Sequence, residues 1–140
     1  CNAKRLAFFE KDPIDWKQGD GCTYGKLLTD LIAFRKANPA LANGQWGARM
    51  VKVETDKPTE LFAWVRQQDG NKIAAFFNFT GTPVTAKLAD GLAAGGYTEF
   101  GTRADVVLKA GDTVTVPAHG YRLLSTMSAQ SAAPMMGRAR

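Results

Sequence analysis

Glu10, Asp12 and Asp15 fall within six residues and form the densest acidic cluster of the chain. Carboxylates so grouped can act as general acid and base or accept hydrogen bonds from hydroxyl groups. Pro13 divides the cluster, and Asp beside Pro also serves turn chemistry, with Asp12 and Asp15 bonding nearby backbone. The residues favour that second reading. Phe9 and Trp16 flank the cluster, and Trp46 sits between Gly44 and Gly47. Aromatic rings in loops either offer an apolar face to a ligand or anchor the loop to a core. His119, the only histidine, lies in the turn pattern Pro117-Ala118-His119-Gly120 with no second His or paired Cys, so neither metal ligation nor base catalysis is signalled. Cys1 and Cys22 form no Cys-x-x-Cys motif, which leaves out a zinc site and a disulfide framework; Cys22, without a partner His, reads as a small side chain. No catalytic set and no metal ligand set emerges.

The 140 residues are 45% hydrophobic and 22% charged, enough for one real core. A complete (β/α)8 barrel takes about 250 residues, so the chain cannot be a whole enzyme of that architecture. The net charge of +5 is spread singly among Asp and Glu rather than gathered on a stripe, which argues against a nucleic-acid partner. No apolar run approaches the roughly 20 residues of a membrane span, and the N-terminus lacks the order of a signal peptide. Beginning at Cys1, it reads as a boundary inside a longer protein.

The elements that must position these residues change character midway. Residues 1–22 mix Leu6, Phe8, Phe9 and Trp16 with Pro and Gly and read as an ordered loop. From Thr23, a candidate N-cap, Tyr24, Leu27, Leu28, Leu31, Ile32 and Phe34 recur at helical spacing, and the helix should stop near Ala37 because Asn38 precedes Pro39. Beyond Met50 the period becomes two. Strands are expected at 50–54, 61–67, 72–79, 84–88, 97–100, 106–108, 113–116 and 121–125, broken by turns every ten residues or so. Asp69-Gly70-Asn71 predicts a hairpin, and Ile73-Ala74-Ala75-Phe76-Phe77, apolar on both faces, predicts a central strand. Trp64 alternates with Phe62 and is expected to face the core. Residues 126–140 are small, polar and aperiodic, and disorder is expected there.

Taken in order, these segments resemble one family. Lys4-Arg5-Leu6-Ala7-Phe8-Phe9-Glu10-Lys11-Asp12-Pro13-Ile14-Asp15-Trp16 is similar to the segment after the eighth barrel strand of bacterial α-amylase-family glycoside hydrolases. The helix with Leu31-Ile32-Ala33-Phe34-Arg35-Lys36-Ala37-Asn38-Pro39-Ala40-Leu41 resembles their eighth barrel helix and its exit. Leu61 to Arg66, Asn71 to Thr80 and Ala110 to Tyr121 resemble strands of their C-terminal domain.

The resemblance implies a mainly β chain: an antiparallel Greek-key β-sandwich of about eight strands, preceded by a loop and one α-helix left from a truncated barrel. Residues 1–45 would end the catalytic barrel, 46–125 form the sandwich and 126–140 a disordered tail. The family's catalytic Asp, Glu and Asp follow barrel strands absent here, so the fragment is expected to be non-catalytic; a retaining glycosidase needs two carboxyl groups about 5 Å apart. The parent activity implied is hydrolysis of α-1,4-glucosidic bonds in starch-like glucans, with the sandwich stabilising the barrel. The alternative is a carbohydrate-binding module for α-glucans. Phe9, Asp12, Trp16 and Trp46 are the candidate substrate contacts, near the active-site face or on the sandwich. No cofactor is expected in the fragment, and the resemblance leaves calcium open for the parent. The missing barrel is the expected partner of the helix, with self-association as the other way to cover its apolar stripe. A secreted or periplasmic bacterial enzyme is slightly favoured.

Overall fold

The computed structural model describes residues 9–11 and 23–127. Asp12, Asp15, Trp16, both cysteines and nearly all of the expected loop and tail lie outside the described residues. The chain divides into two compact units, Cys1–Ala33 and Phe34–Arg140.

In the first unit, residues 9–11 form an exposed turn, and helix α1 (Thr23–Ala37) begins. Thr23, the expected cap, is itself the first helical residue. Lys26 and Asp30 pair at 2.5 Å across one helical turn, exposed and hence worth little. Tyr24, Leu28 and Ile32, at i, i+4 and i+8, line one side of α1, and each is more than half exposed.

The last turn of α1 carries Arg35 and Lys36, which suit its negative end. Asn38, at φ −117° and ψ 99°, leaves the helical region because Pro39 follows. Two single 3-10 turns, Pro39–Leu41 and Gly44–Trp46, lead into the sheets. Eight strands follow: β1 (Val51–Lys52), β2 (Leu61–Gln68), β3 (Asn71–Asn78), β4 (Val84–Lys87), β5 (Gly95–Glu99), β6 (Asp105–Leu108), β7 (Thr113–Val116) and β8 (Tyr121–Ser125). All pair antiparallel, six in the order β1-β2-β3-β8-β5-β6 and two as β4-β7. After β5, β6 and β7, strand β8 returns beside β5, the closing step of a Greek key bent over two sheets.

The β2–β3 turn is the two-residue Asp69–Gly70, both at positive φ (50° and 79°), which matches the strand twist and pairs Gln68 with Asn71. Strand β3 lies inside the large sheet, as its apolar run requires. The core fills the space between the sheets: Leu61, Ala63, Val65, Ala74, Phe76 and Leu124 meet Val84, Ala86, Val114 and Val116 of the small sheet. Phe62 and Trp64 therefore point away from that core, contrary to expectation. Alternation fixes that Phe62 and Trp64 share a face but not which face, and the smaller Leu61, Ala63 and Val65 take the inner one.

Candidate functional site

The outer face of the large sheet is built in rungs. One rung holds Phe62, Phe77 and Tyr121; the next holds Lys52, Trp64, Ala75 and Leu123; a third holds Arg66, Ile73, Ser125 and Thr98. The third rung is covered. Arg66 donates from Nε to the Ala48 carbonyl (2.7 Å) and from Nη2 to that of Ala42 (3.1 Å), which fastens the 42–48 segment to β2. Ile73 and Ala40 are fully buried outside the inter-sheet core. Phe34 of α1 meets Phe100 edge to face at 5.2 Å.

Asn38 locks this cover in place. Its Nδ2 donates to the Phe34 carbonyl (2.7 Å), while its Oδ1 accepts from Asn71 Nδ2 (2.9 Å) and from Ser125 Oγ (2.5 Å). Asn71 Oδ1 accepts in turn from the Ala40 amide at 3.0 Å. All three side chains are at most 2% exposed, so each polar atom depends on the others.

The first rung is bare. Near-parallel rings run in a row: Phe62 to Phe77 at 6.4 Å, Trp64 to Phe77 at 6.3 Å, and Phe77 to Phe79 at 6.3 Å with only 11° between their planes. Phe79 closes the row 73% exposed, and Tyr121 is 40% exposed. Lys52 pairs with Glu54 at 3.1 Å on the β1 edge, and His119, at φ 48°, exposes its side chain in the turn before β8, its amide bonded to the Thr80 carbonyl.

Elsewhere, a shallow hollow of about 310 Å³ lies over β5 and β6, lined by Gly96, Thr98, Asp105, Val107 and Thr126. Glu99 and Arg122 pair at 2.6 Å between β5 and β8, largely buried. Burial pushes the Tyr97 hydroxyl up to about 12, while it donates to the Ala93 carbonyl at 2.9 Å, and burial lowers Lys72, whose Nζ donates to the Ala94 carbonyl. Among the described residues no group of three or more His, Cys, Asp or Glu could hold a metal ion, and no helix is long and apolar enough to cross a membrane.

Phe9 is fully exposed in its turn; Trp46 is 69% exposed on the segment that Arg66 fastens; Asp12 and Trp16 lie outside the described residues. Sequence reasoning missed Phe62, Phe77, Phe79 and Tyr121 as a surface. The signal was present: the two-residue turn at Asp69–Gly70 fixes Phe62 opposite Phe77.

Residues 53–134, more than half of the chain, match the family described as "Alpha amylase, C-terminal all-beta domain". No curated protein matches. Among solved structures the chain is similar to AmyP in complex with maltose (TM-score 0.59, 14% identity, 80% of this chain and 21% of that one). It is also similar to the maltogenic α-amylase AmyB of Thermotoga neapolitana (TM-score 0.63, 13% identity, 86% and 31%). A third similar structure is a MUTB mutant soaked with trehalulose (TM-score 0.56, 15% identity, 81% and 20%). The chain thus spans between a fifth and a third of the length of these proteins. At such identities the likeness is one of fold, and the family match carries the assignment: the chain belongs to the family of α-amylase C-terminal all-β domains.

Proposed function

We propose that the chain is the non-catalytic C-terminal part of an α-amylase-like glycoside hydrolase acting on α-1,4-glucosidic bonds, and that its sandwich stabilises the catalytic barrel. The observation that carries this reading is the junction at Asn38. The exit of α1 is built into the sheet, with Asn38 bonded to Phe34 on one side and to Asn71 and Ser125 on the other. These residues all belong to the second unit, and a helix exit bonded in this way supports a sandwich that anchors the chain leaving a barrel's last helix. The exposed line of Tyr24, Leu28 and Ile32 is what a barrel helix leaves bare without its neighbours. AmyP binds maltose and AmyB is maltogenic, which supports an α-glucan as the substrate of the whole enzyme.

The test is hydrolysis of a soluble maltooligosaccharide by the purified chain, with intact mass taken on the same sample. No sugar release by material of 15.1 kDa is expected. Release that scales with the amount of chain would overturn the reading. A second reading, an α-glucan-binding surface, is favoured by the bare aromatic row that ends at Phe79.

A further inference from the structure

We propose that the Asn43-Gly44 peptide is a site of spontaneous modification, at which the Asn43 side chain loses ammonia and becomes an aspartyl or isoaspartyl residue. The step needs no enzyme and no cofactor, only water, and it does not depend on the functional reading above. The Gly44 amide nitrogen, having given its proton to hydroxide, attacks the side-chain carbonyl carbon of Asn43. The new C–N bond closes a cyclic imide, and the side-chain nitrogen leaves as ammonia with a proton from water. A second water opens the ring at either carbonyl. One opening leaves Asp at position 43; the other routes the main chain through the former side chain as isoaspartate.

Geometry sets Asn43 apart from the other described asparagines. Asn38, Asn71 and Asn78 are at most 2% exposed and their side chains are held, the first two in the cluster described above. Asn78 donates from Nδ2 to the Thr82 and Pro117 carbonyls (2.8 and 2.9 Å) and accepts at Oδ1 from the Thr80 amide (2.8 Å). Pro39 after Asn38 has no N–H to lose, and the Lys72 amide after Asn71 donates to Thr126 Oγ1 at 2.9 Å. Asn43 has none of these restraints. It is exposed at the start of the Gly44–Trp46 turn, and its side chain makes no capping bond. Among the described residues the Gly44 amide donates no hydrogen bond, and a Cβ placed on Gly44 would meet nothing within 4 Å. With Asn43 at ψ 150° the peptide plane must swing before nitrogen meets carbon. Only two long bonds resist the swing, from the Trp46 amide to the Asn43 carbonyl (3.2 Å) and from the Gly47 amide to the Gly44 carbonyl (3.4 Å). Gly44, at φ 56°, brings no side chain to hinder it. Arg66 holds the segment at the Ala42 and Ala48 carbonyls, so the movement is confined to the tip between them. The reaction is internal to that tip and requires no partner surface.

The experiment incubates the folded 140-residue chain in mildly alkaline and in mildly acidic buffer and maps its peptides by mass, with an isoaspartate-specific methyltransferase assay on the same samples. A synthetic peptide of residues 40–48 sets the unrestrained rate. Asn43 should convert to both products, faster in the alkaline buffer because the deprotonated nitrogen attacks, and within about tenfold of the peptide, since a loop tip opens at little cost. Asn38, Asn71 and Asn78 need the domain to open first and should convert more than about a hundredfold more slowly. Gly44→Ala sets a methyl group beside the attacking nitrogen and should slow conversion at Asn43 several-fold in a chain that circular dichroism shows to be folded. Asn43→Gln, which would have to close a larger ring, should show almost none. An Asn43 that stays intact after the peptide has converted would overturn the proposal. So would equal conversion at Asn71, or an unchanged rate in folded Gly44→Ala.

Discussion

Replacing Asn38 by Ala removes the centre of the buried polar cluster. Three hydrogen bonds vanish, at 2.7, 2.9 and 2.5 Å. Their partners do not suffer equally. Ser125 Oγ can turn to the Met127 carbonyl, 3.1 Å away, and so keeps an acceptor. The Asn71 N–H facing Asn38 loses its acceptor inside the protein, at 0% exposure. One orphaned donor costs about 1–3 kcal/mol, and the small cavity left by the carboxamide adds about 1 kcal/mol. The expected loss is therefore about 2–4 kcal/mol, a large share of the ~5–15 kcal/mol that holds a domain of this size. It should lower the midpoint by roughly 10 °C. Urea unfolding of Asn38→Ala, Asn71→Ala and the double variant measures both the loss and the coupling. Because the two side chains share one bond and one cluster, the double variant should lose at least about 1 kcal/mol less than the sum of the singles. A single-variant loss under about 1 kcal/mol, or strict additivity, would refute the claim that Asn38 fastens the helix exit to β3 and β8.

Two further outcomes concern Tyr97 of β5 and Gly47 of the 42–48 segment. Tyr97 is neutral when folded up to about pH 12 but ionises near its ordinary value of 10.0 when unfolded. Its stabilisation is thus complete below pH 10 and drains away between pH 10 and 12, by up to about 2–3 kcal/mol. Denaturant unfolding across that window should show a steeper decline for the parent than for Tyr97→Phe, and parallel curves would dismiss the assignment. At Gly47 a methyl group would run into the Ala42 carbonyl and come within 2.7 Å of Arg66 Nη2. Gly47→Ala should cost about 2 kcal/mol and open the 42–48 segment to protease, and an unaltered midpoint with unaltered cleavage would count against the contact.

Most of the fold was legible because its signals are local. The Asn38-Pro39 pair ended the helix, and Asp69–Gly70 closed the hairpin with both residues at positive φ. Strands β7 and β8 fall at the expected residues, while β1 shrinks to Val51–Lys52 because only that pair faces β2 in register. The sheet order was not legible. Placing β8 between β3 and β5 depends on contacts such as Ala74 with Leu124 and Thr98 with Ser125, which no spacing announces. Nor could the Asn38–Asn71–Ser125 cluster be read: Asn71 looked like part of a turn, Asn38 like a helix stop, and 87 residues separate Asn38 from Ser125.

The candidate surface went unseen for a different reason. Alternation with Phe62 suggested that Trp64 faced the core, but a period of two says only that the two share a face. In a sandwich, the inner space is shared by two sheets, and Phe76 already shares it with Val114 and Val116. Small partners at Ala63 and Ala74 are what that space can take. The larger rings of β2 and β3 lie on the other face, where the 34–48 segment covers the rung of Arg66 and Ile73. Had the cover extended over the first rung, Phe62, Phe77 and Phe79 would be a second core and nothing more. Because it stops at Arg66 and Ile73, Phe62, Phe79 and Tyr121 remain exposed in this chain.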